Sequence, residues 1–185
     1  MAGSNFDLVV IGAGPGGYHA AIRGAQLGLS VVVVEKDDGT GTAGIGGVCL
    51  NWGCIPSKSL LKNAEVVNHI SHAEEWGIEV SEWSASMSKA VDRSREVSKT
   101  LTNGIAFLFR KNKITLVRGK ARLKSSTQVE VEGAETLTAK NIVIATGARA
   151  RSLPGLEIDG ENIITSRHAL ELREQPEALA IVGAS

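Results

Sequence analysis

Apolar and polar positions follow two rhythms along this chain. Phe6-Asp7-Leu8-Val9-Val10-Ile11 is a short, β-branched run that ends on glycine, the pattern of a buried parallel strand. The turn Gly12 to Gly17 follows. Tyr18 to Leu27 then carries Ala20, Ala21, Ala25 and Leu27, good helix formers, and Gly28 stops it. Ser30 to Glu35 is a second buried strand, so the opening reads as a strand–helix–strand unit of the smallest practical size. Residues 36–48 form a glycine-rich loop, and a helix is expected from near Cys54 to about Glu74. The clearest helical rhythm runs from Ser84 to Asn112. There Met87, Val91, Ser94, Val97, Leu101, Ile105 and Leu108 recur every three or four residues as one apolar face, opposite Lys89, Asp92, Arg95, Glu96 and Lys99.

The second half returns to strands. Ile114–Arg118 is one, Gln128–Val131 and Glu135–Leu137 flank Gly133 as a hairpin, and Asn141–Ala145 is a further buried strand. Residues 148–162 contain Pro154, Gly155 and Gly160 and read as a connector. Leu179-Ala180-Ile181-Val182-Gly183 repeats the opening strand-then-glycine pattern. The fold class is therefore α/β: a doubly wound, mostly parallel sheet with a small antiparallel β layer.

Composition narrows this. The 185 residues are 43% hydrophobic and 22% charged, enough for a folded core. Lys plus Arg and Asp plus Glu are 20 each, so no charge surplus points to nucleic acid. The longest apolar runs are too short to span a bilayer, and Met1–Asn5 lacks the pattern of a secretion signal. Neither nucleic acid nor membrane is an expected partner, and the expected location is cytoplasmic or equivalently reducing. Two cysteines in such a setting point to catalysis or metal rather than structure.

The turn Gly12-Ala13-Gly14-Pro15-Gly16-Gly17 fits the dinucleotide fingerprint through Gly12, Gly14 and Gly17. Gly12 permits the sharp turn, Gly14 lets a pyrophosphate approach the backbone, and Gly17 lets helix and strand pack closely. The helix start offers free N–H groups and a positive dipole end to phosphates. Glu35 ends the second strand, 18 residues after Gly17, where an acid can accept from ribose hydroxyls and would repel a 2′-phosphate. A bare glycine-rich turn is the competing reading; strand, helix and acid in the required order weigh against it. The turn alone does not separate FAD from NAD.

Cys49 and Cys54 lie in Gly46-Gly47-Val48-Cys49-Leu50-Asn51-Trp52-Gly53-Cys54-Ile55-Pro56-Ser57-Lys58. Five apart, they can close a disulfide within one distorted helical turn. Pro56 suits the first turn of a helix, which would place Cys54 where the dipole favours a thiolate, with the charge of Lys58 about one turn on. A metal site has too few ligands, since structural zinc wants four, and His69 and His72 read as a solvated face. Two buried free thiols remain possible, but do not account for the flanking glycines, Pro56 and Lys58 falling together. A redox-active pair exchanging electrons with a flavin is the third reading.

GGVCLNWGCIPSKSLL, with IGAGPGGYHAAIRGAQLG before it and NIVIATGA near residue 145, resembles the class I pyridine-nucleotide disulfide oxidoreductases, and within them the dihydrolipoyl dehydrogenase branch. Glutathione and mercuric reductases share the two-cysteine layout and stand as the alternative, beside a non-catalytic FAD-binding module. The resemblance implies that Cys49 exchanges with a dithiol substrate, and that Cys54 lies nearest the flavin as the charge-transfer thiolate. It places Lys58 by the reactive edge of the ring system. It gives the FAD pyrophosphate to Gly12, Gly14, Pro15 and Gly16, the ribose to Glu35 with Lys36 beside it, and further cofactor contacts to Gly47 and Val48. Gly119, Lys120 and Ala121 match a contact to the adenine end; Ala145, Thr146 and Gly147 match the second FAD motif. The implied cofactors are FAD and, outside these residues, NAD. The implied partners are lipoyl groups of a 2-oxo-acid dehydrogenase complex, in a homodimeric full-length form. The expected division is 1–150 for the first FAD-binding segment, 151–178 for a connector, and 179–185 for the start of a truncated NAD-binding domain. Neither His19 nor His168 matches the family's catalytic histidine, so residues 1–185 alone are expected to be inactive. The loop from Lys36 to Gly47 is longer and richer in glycine than the family pattern, which leaves its contacts open.

Overall fold

The computed structural model describes residues 5–36 and 44–183. β1 (Asn5–Ile11), α1 (Pro15–Gln26) and β2 (Val31–Glu35) form the opening unit. α2 (Gly47–Trp52) and α3 (Cys54–Ser71) follow, then a 3-10 turn at Ala73–Trp76 and the long α4 (Met87–Lys111). β3 (Thr115–Arg118), β4 (Ala121–Leu123), β5 (Gln128–Val131), β6 (Leu137–Ile144) and the short α5 (Ser166–Ala169) complete the described elements.

Among the described residues the strands make one six-stranded sheet in the order β3-β2-β1-β6-β5-β4. β1 pairs in parallel with β2 (Val10↔Val33) and with β6 (Val10↔Val143), and β2 with β3 (Val33↔Leu116). β5 runs antiparallel to both β6 and β4. Side chains alternate across the parallel strands, so the sheet has two apolar faces. Leu8, Val10, Val31 and Val33 meet Tyr18 and Ala21 of α1 and Phe109 of α4 on one face. Val9, Ile11, Val32 and Val34 meet Val129, Val131, Leu137 and Ala139 on the other. The antiparallel strands therefore continue the sheet through β6 and also cover its second face.

Several expectations shift. The arm expected at Glu135–Leu137 and the strand expected at Asn141–Ala145 join in one strand, β6: the start pairs with β5 while the whole length pairs with β1. One residue row serving two neighbours leaves no sequence break to read. β4 supplies a third antiparallel strand that was not anticipated. α2 replaces the end of the expected loop, and residues 37–43 of that loop lie outside the described residues.

The buried face of α4 is rotated from the apolar stripe. It buries Ala90, Val91, Ser94, Ser98, Thr102 and Phe109, while Met87 and Leu101 are 37% and 41% exposed. Ser94 and Thr102 can face inward because the helix backbone satisfies them, whereas buried Ser98 Oγ has no hydrogen-bond partner. Ser94 Oγ donates to the Val91 carbonyl at 2.7 Å and Thr102 Oγ1 to the Lys99 carbonyl at 3.0 Å. Small side chains also let α2 and α3 approach; a Cβ on Gly46 would stand 3.1 Å from Thr102 Cγ2. Leu179–Gly183, expected as a strand, has no ladder partner among the described residues, and Ile181 is 81% exposed.

Candidate redox and dinucleotide site

The site forms where the parallel strands end. Gly12 N–H donates to the Val34 carbonyl at 2.7 Å, and Ala145 N–H to the Ile11 carbonyl at 2.8 Å, closing β1 against both neighbours. Gly12 has φ +105°, and a Cβ there would stand 2.2 Å from the Ala145 oxygen. A Cβ on Gly17 would stand 1.8 Å from the Gly12 oxygen. The fold itself requires glycine at these two positions.

Gly14 and Gly16 are different. Gly14 has an ordinary extended backbone (φ −74°, ψ −175°), and a Cβ there would meet only Gly47 Cα at 3.7 Å. A Cβ on Gly16 would meet Ala145 Cβ at 3.7 Å, an ordinary contact. Packing within the chain does not demand glycine at either position. Their bareness leaves open ground over the N-terminus of α1, which starts at Pro15, has no side-chain cap and carries no acid in its first turn. A diphosphate fits that opening.

Glu35 closes β2 beside the turn. Its Oε2 accepts from Ala13 N–H at 2.5 Å, so the expected ribose acid also braces the turn. Lys36 next to it is exposed. Gly119 N–H donates to the Glu35 carbonyl at 3.0 Å, which brings Gly119 to the same edge; there φ is +147° and a Cβ would stand 2.3 Å from the Glu132 oxygen. Beyond it the Lys120 carbonyl accepts from Glu132 N–H at 3.0 Å, and Ala121 is in register with Val131 of β5. Ala145 touches the turn, while Thr146 and Gly147 are exposed beyond it.

The cysteine segment is built onto the same turn. Gly46 N–H donates to the Ala13 carbonyl at 2.8 Å. Gly47 has φ +55°, and a Cβ there would stand 2.7 Å from Gly14 Cα, so the first residue of α2 presses on the glycine turn. Buried Asn51 donates from Nδ2 to the carbonyls of Ile45 and Gly47, both at 2.9 Å, and fixes this approach.

Cys49 and Cys54 are joined as a disulfide, with Cα atoms 4.7 Å apart. The bond spans not one distorted helical turn but the joint at Gly53 (φ −145°, ψ −108°), where α2 ends and α3 begins. Cys49 is half-buried against the core that holds Leu50, and Cys54 is exposed as the first residue of α3. Val48 and Lys58 are exposed beside them. The structure therefore brings Gly12, Gly14, Pro15, Gly16, Glu35, Gly47, Gly119 and Ala145 to one edge with the disulfide segment. Lys36 and Lys58 make no ion pair among the described residues.

Two arginines join the cysteine segment without a signal of their own in the sequence. Periodicity puts Arg95 opposite the apolar face of α4, yet its Nη1 donates to the Asn51 carbonyl at 2.7 Å and its guanidinium lies 4.9 Å from the centre of the Trp52 ring. Arg167 lies 4.0 Å from the same ring centre. Burial holds Arg95 below the usual arginine pKa; Glu171 opposes that shift, and Arg167 and Arg173 add to it. The one available signal was Trp52 itself, a large aromatic between the two cysteines.

Fold and site together define a class. The pyridine nucleotide-disulphide oxidoreductase family matches residues 6–185, and the chain belongs to it. Among curated relatives, it is 48% identical over 184 residues to the dihydrolipoyl dehydrogenase of Chlorobaculum parvum, covering 97% of this chain and 38% of that protein. It is 46% identical over 183 residues to the dihydrolipoyl dehydrogenase of Zymomonas mobilis, with the same two coverages, 97% and 38%. The Manduca sexta dihydrolipoyl dehydrogenase is 47% identical over 182 residues, covering 96% of this chain and 36% of that protein. The chain thus spans under two fifths of the length of these relatives. Among solved structures, the HOCl-induced flavoprotein disulfide reductase RclA of Escherichia coli, as its Cu(II) complex, superposes with a TM-score of 0.74 at 26% identity, covering 92% of this chain and 35% of that one.

Proposed function

We propose that this chain forms part of an FAD-dependent disulfide oxidoreductase of the dihydrolipoyl dehydrogenase type. The observation that carries the reading is the seating of a disulfide-bearing helix on an open phosphate turn, Gly47 against Gly14. The turn residues Gly12, Gly14, Pro15 and Gly16 would hold the FAD pyrophosphate, Glu35 and Gly119 the adenosine end, and Ala145 to Gly147 the middle of the cofactor. Bound there, FAD supplies a two-electron acceptor that no side chain provides.

The chain's own chemistry is thiol–disulfide exchange. A thiolate of the substrate dithiol attacks Cys49 Sγ, a mixed disulfide forms, and the Cys54 sulfur leaves as a thiolate. The substrate's second thiol, as its thiolate, then attacks the substrate sulfur of the mixed disulfide and expels Cys49 Sγ as a thiolate; the substrate departs as the cyclic disulfide, oxidised by two electrons, the cysteine pair is reduced by two, and two protons are released. Cys54 sits at the start of an uncapped helix, where the dipole stabilises that thiolate. We assign the onward step to NAD, a lipoyl carrier of a 2-oxo-acid dehydrogenase complex, a homodimer and a cytoplasmic setting to the whole protein. The lipoyl carrier is supported by the dihydrolipoyl dehydrogenases this chain is similar to, and the nicotinamide acceptor by the pyridine nucleotide-disulphide oxidoreductase family. Among the described residues no helix is long and apolar enough to cross a membrane.

The test is to load the chain with FAD and add dihydrolipoamide or glutathione without oxygen. Reduction of the Cys49–Cys54 bond by dihydrolipoamide at far lower concentration than by glutathione supports the reading. A preference for glutathione assigns the chain to another branch of the family. Failure to retain FAD overturns the proposal.

A further inference from the structure

We propose that Arg95 is a positioning residue for the cysteine pair: by holding the C-terminal end of α2, it keeps Cys49 within reach of Cys54 once their bond is reduced. The inference rests on the reading that this pair cycles between disulfide and dithiol.

α2 has six residues, too few to be stable on its own. It is followed at once by Gly53, the most freely rotating residue. While the disulfide is closed, the bond itself fixes the joint. When it opens, non-covalent contacts must. At the start of α2 the holder is Asn51, which ties the helix back to Ile45 and Gly47. At its end the holder is Arg95, reaching from α4. Its Nη1 takes the Asn51 carbonyl at 2.7 Å, a cation on a helix C-terminus, and its guanidinium covers Trp52, the last residue before the joint. One side chain thus grips two successive residues of the link between the cysteines.

The arrangement is costly in itself. Arg95 Nη2 is buried without a hydrogen-bond partner, its Nε reaches only Ser94 Oγ at 3.5 Å, and Arg167 crowds the same indole with like charge. A desolvated guanidinium with an unmet donor lowers stability. Simple packing would be served better by an apolar side chain. What the arginine adds is a directional, charge-assisted bond on a carbonyl two residues from Cys49 and three from Cys54.

Positioning and charge make opposite claims on the redox equilibrium. A well-held dithiol closes readily, so losing the grip favours the open form and makes the reduction potential less negative. Losing a nearby positive charge instead disfavours thiolates and makes it more negative. Equilibrating the chain in glutathione buffers, with alkylation and mass measurement as the readout, separates them. For Arg95→Met we expect the closed form to be disfavoured about tenfold, ~30 mV for a two-electron couple. Arg95→Lys keeps the charge but loses the fork and the flat stack, so it should shift the same way; it also serves where Arg95→Met does not fold. A shift to more negative potential in Arg95→Met overturns the proposal in favour of charge. A lower Tm with unchanged potential in both variants overturns it in favour of plain packing. The readout needs no flavin, so retention of FAD, scored separately, shows whether the functional reading itself has failed.

Discussion

The four turn glycines offer a sharp test, because the structure sorts them into two kinds. In Gly17→Ala the new methyl would stand 1.8 Å from the Gly12 oxygen and 2.8 Å from the Gly12 carbonyl carbon, where real contacts stop near 3.0 Å. The obstacle is backbone and cannot rotate away. α1 must withdraw from β1 by about 1 Å, which loosens Tyr18 and Ala21 from Leu8, Val10, Val31 and Val33. Overpacking of this kind costs about 3 kcal/mol, a fall of roughly 6–12 °C in Tm for a chain this size. In Gly14→Ala the methyl meets nothing closer than 3.7 Å, and the backbone is one that alanine adopts freely. Stability should be unchanged or rise by up to about 1 kcal/mol, because the unfolded chain loses freedom. The same methyl enters the proposed path of the pyrophosphate, so FAD affinity should fall at least tenfold, about 1.4 kcal/mol. Urea unfolding followed by circular dichroism gives the first quantity, and flavin fluorescence the second. The reasoning is refuted if Gly14→Ala unfolds as readily as Gly17→Ala, or if it binds FAD like the unaltered chain.

Asp7 accepts from Lys140 Nζ at 2.7 Å and from Ser30 N–H and Oγ, and these bonds, that of Lys140 foremost, hold its carboxyl well below the usual range. Its folded pKa lies below its unfolded one, so its stabilisation is full above about pH 4 and is lost as pH falls further; Tm should drop less steeply there in Asp7→Asn, and parallel curves would contradict this. Asn51→Ala removes the donor for two carbonyls at 2.9 Å and should cost about 1–3 kcal/mol in urea unfolding; a change under about 0.5 kcal/mol, the scatter of ordinary surface substitutions, would mean that the joint is held elsewhere. Thiol titration before and after mild reductant should differ by the two sulfurs of Cys49 and Cys54, and two free thiols in oxidised, folded chain would contradict the pairing.

What the sequence showed plainly were features carried by short-range rules. The strand–glycine–helix opening, the acid at position 35 and the cysteine spacing all depend on neighbours a few residues away, and each stands where it was expected. What it hid depends on tertiary contact. Thr102 of α4 looks like a solvent-facing residue until its hydroxyl is seen bonded to its own helix. β6 looks like two elements because only its start pairs with β5 as well as β1. Gly47 gives no hint of pressing on Gly14, since 33 positions separate them. Arg95 reads as surface charge because Trp52 and the Asn51 carbonyl lie more than 40 residues back along the chain.

The central claim is that one site joins a reducible disulfide to a bound flavin. It is tested most directly by anaerobic reductive titration of the FAD-loaded chain. The unaltered chain should take up two electron pairs per flavin, one on Cys49–Cys54 and one on the cofactor, and Cys49→Ser only one. One pair in both, or no flavin retained by the unaltered chain, would contradict the account.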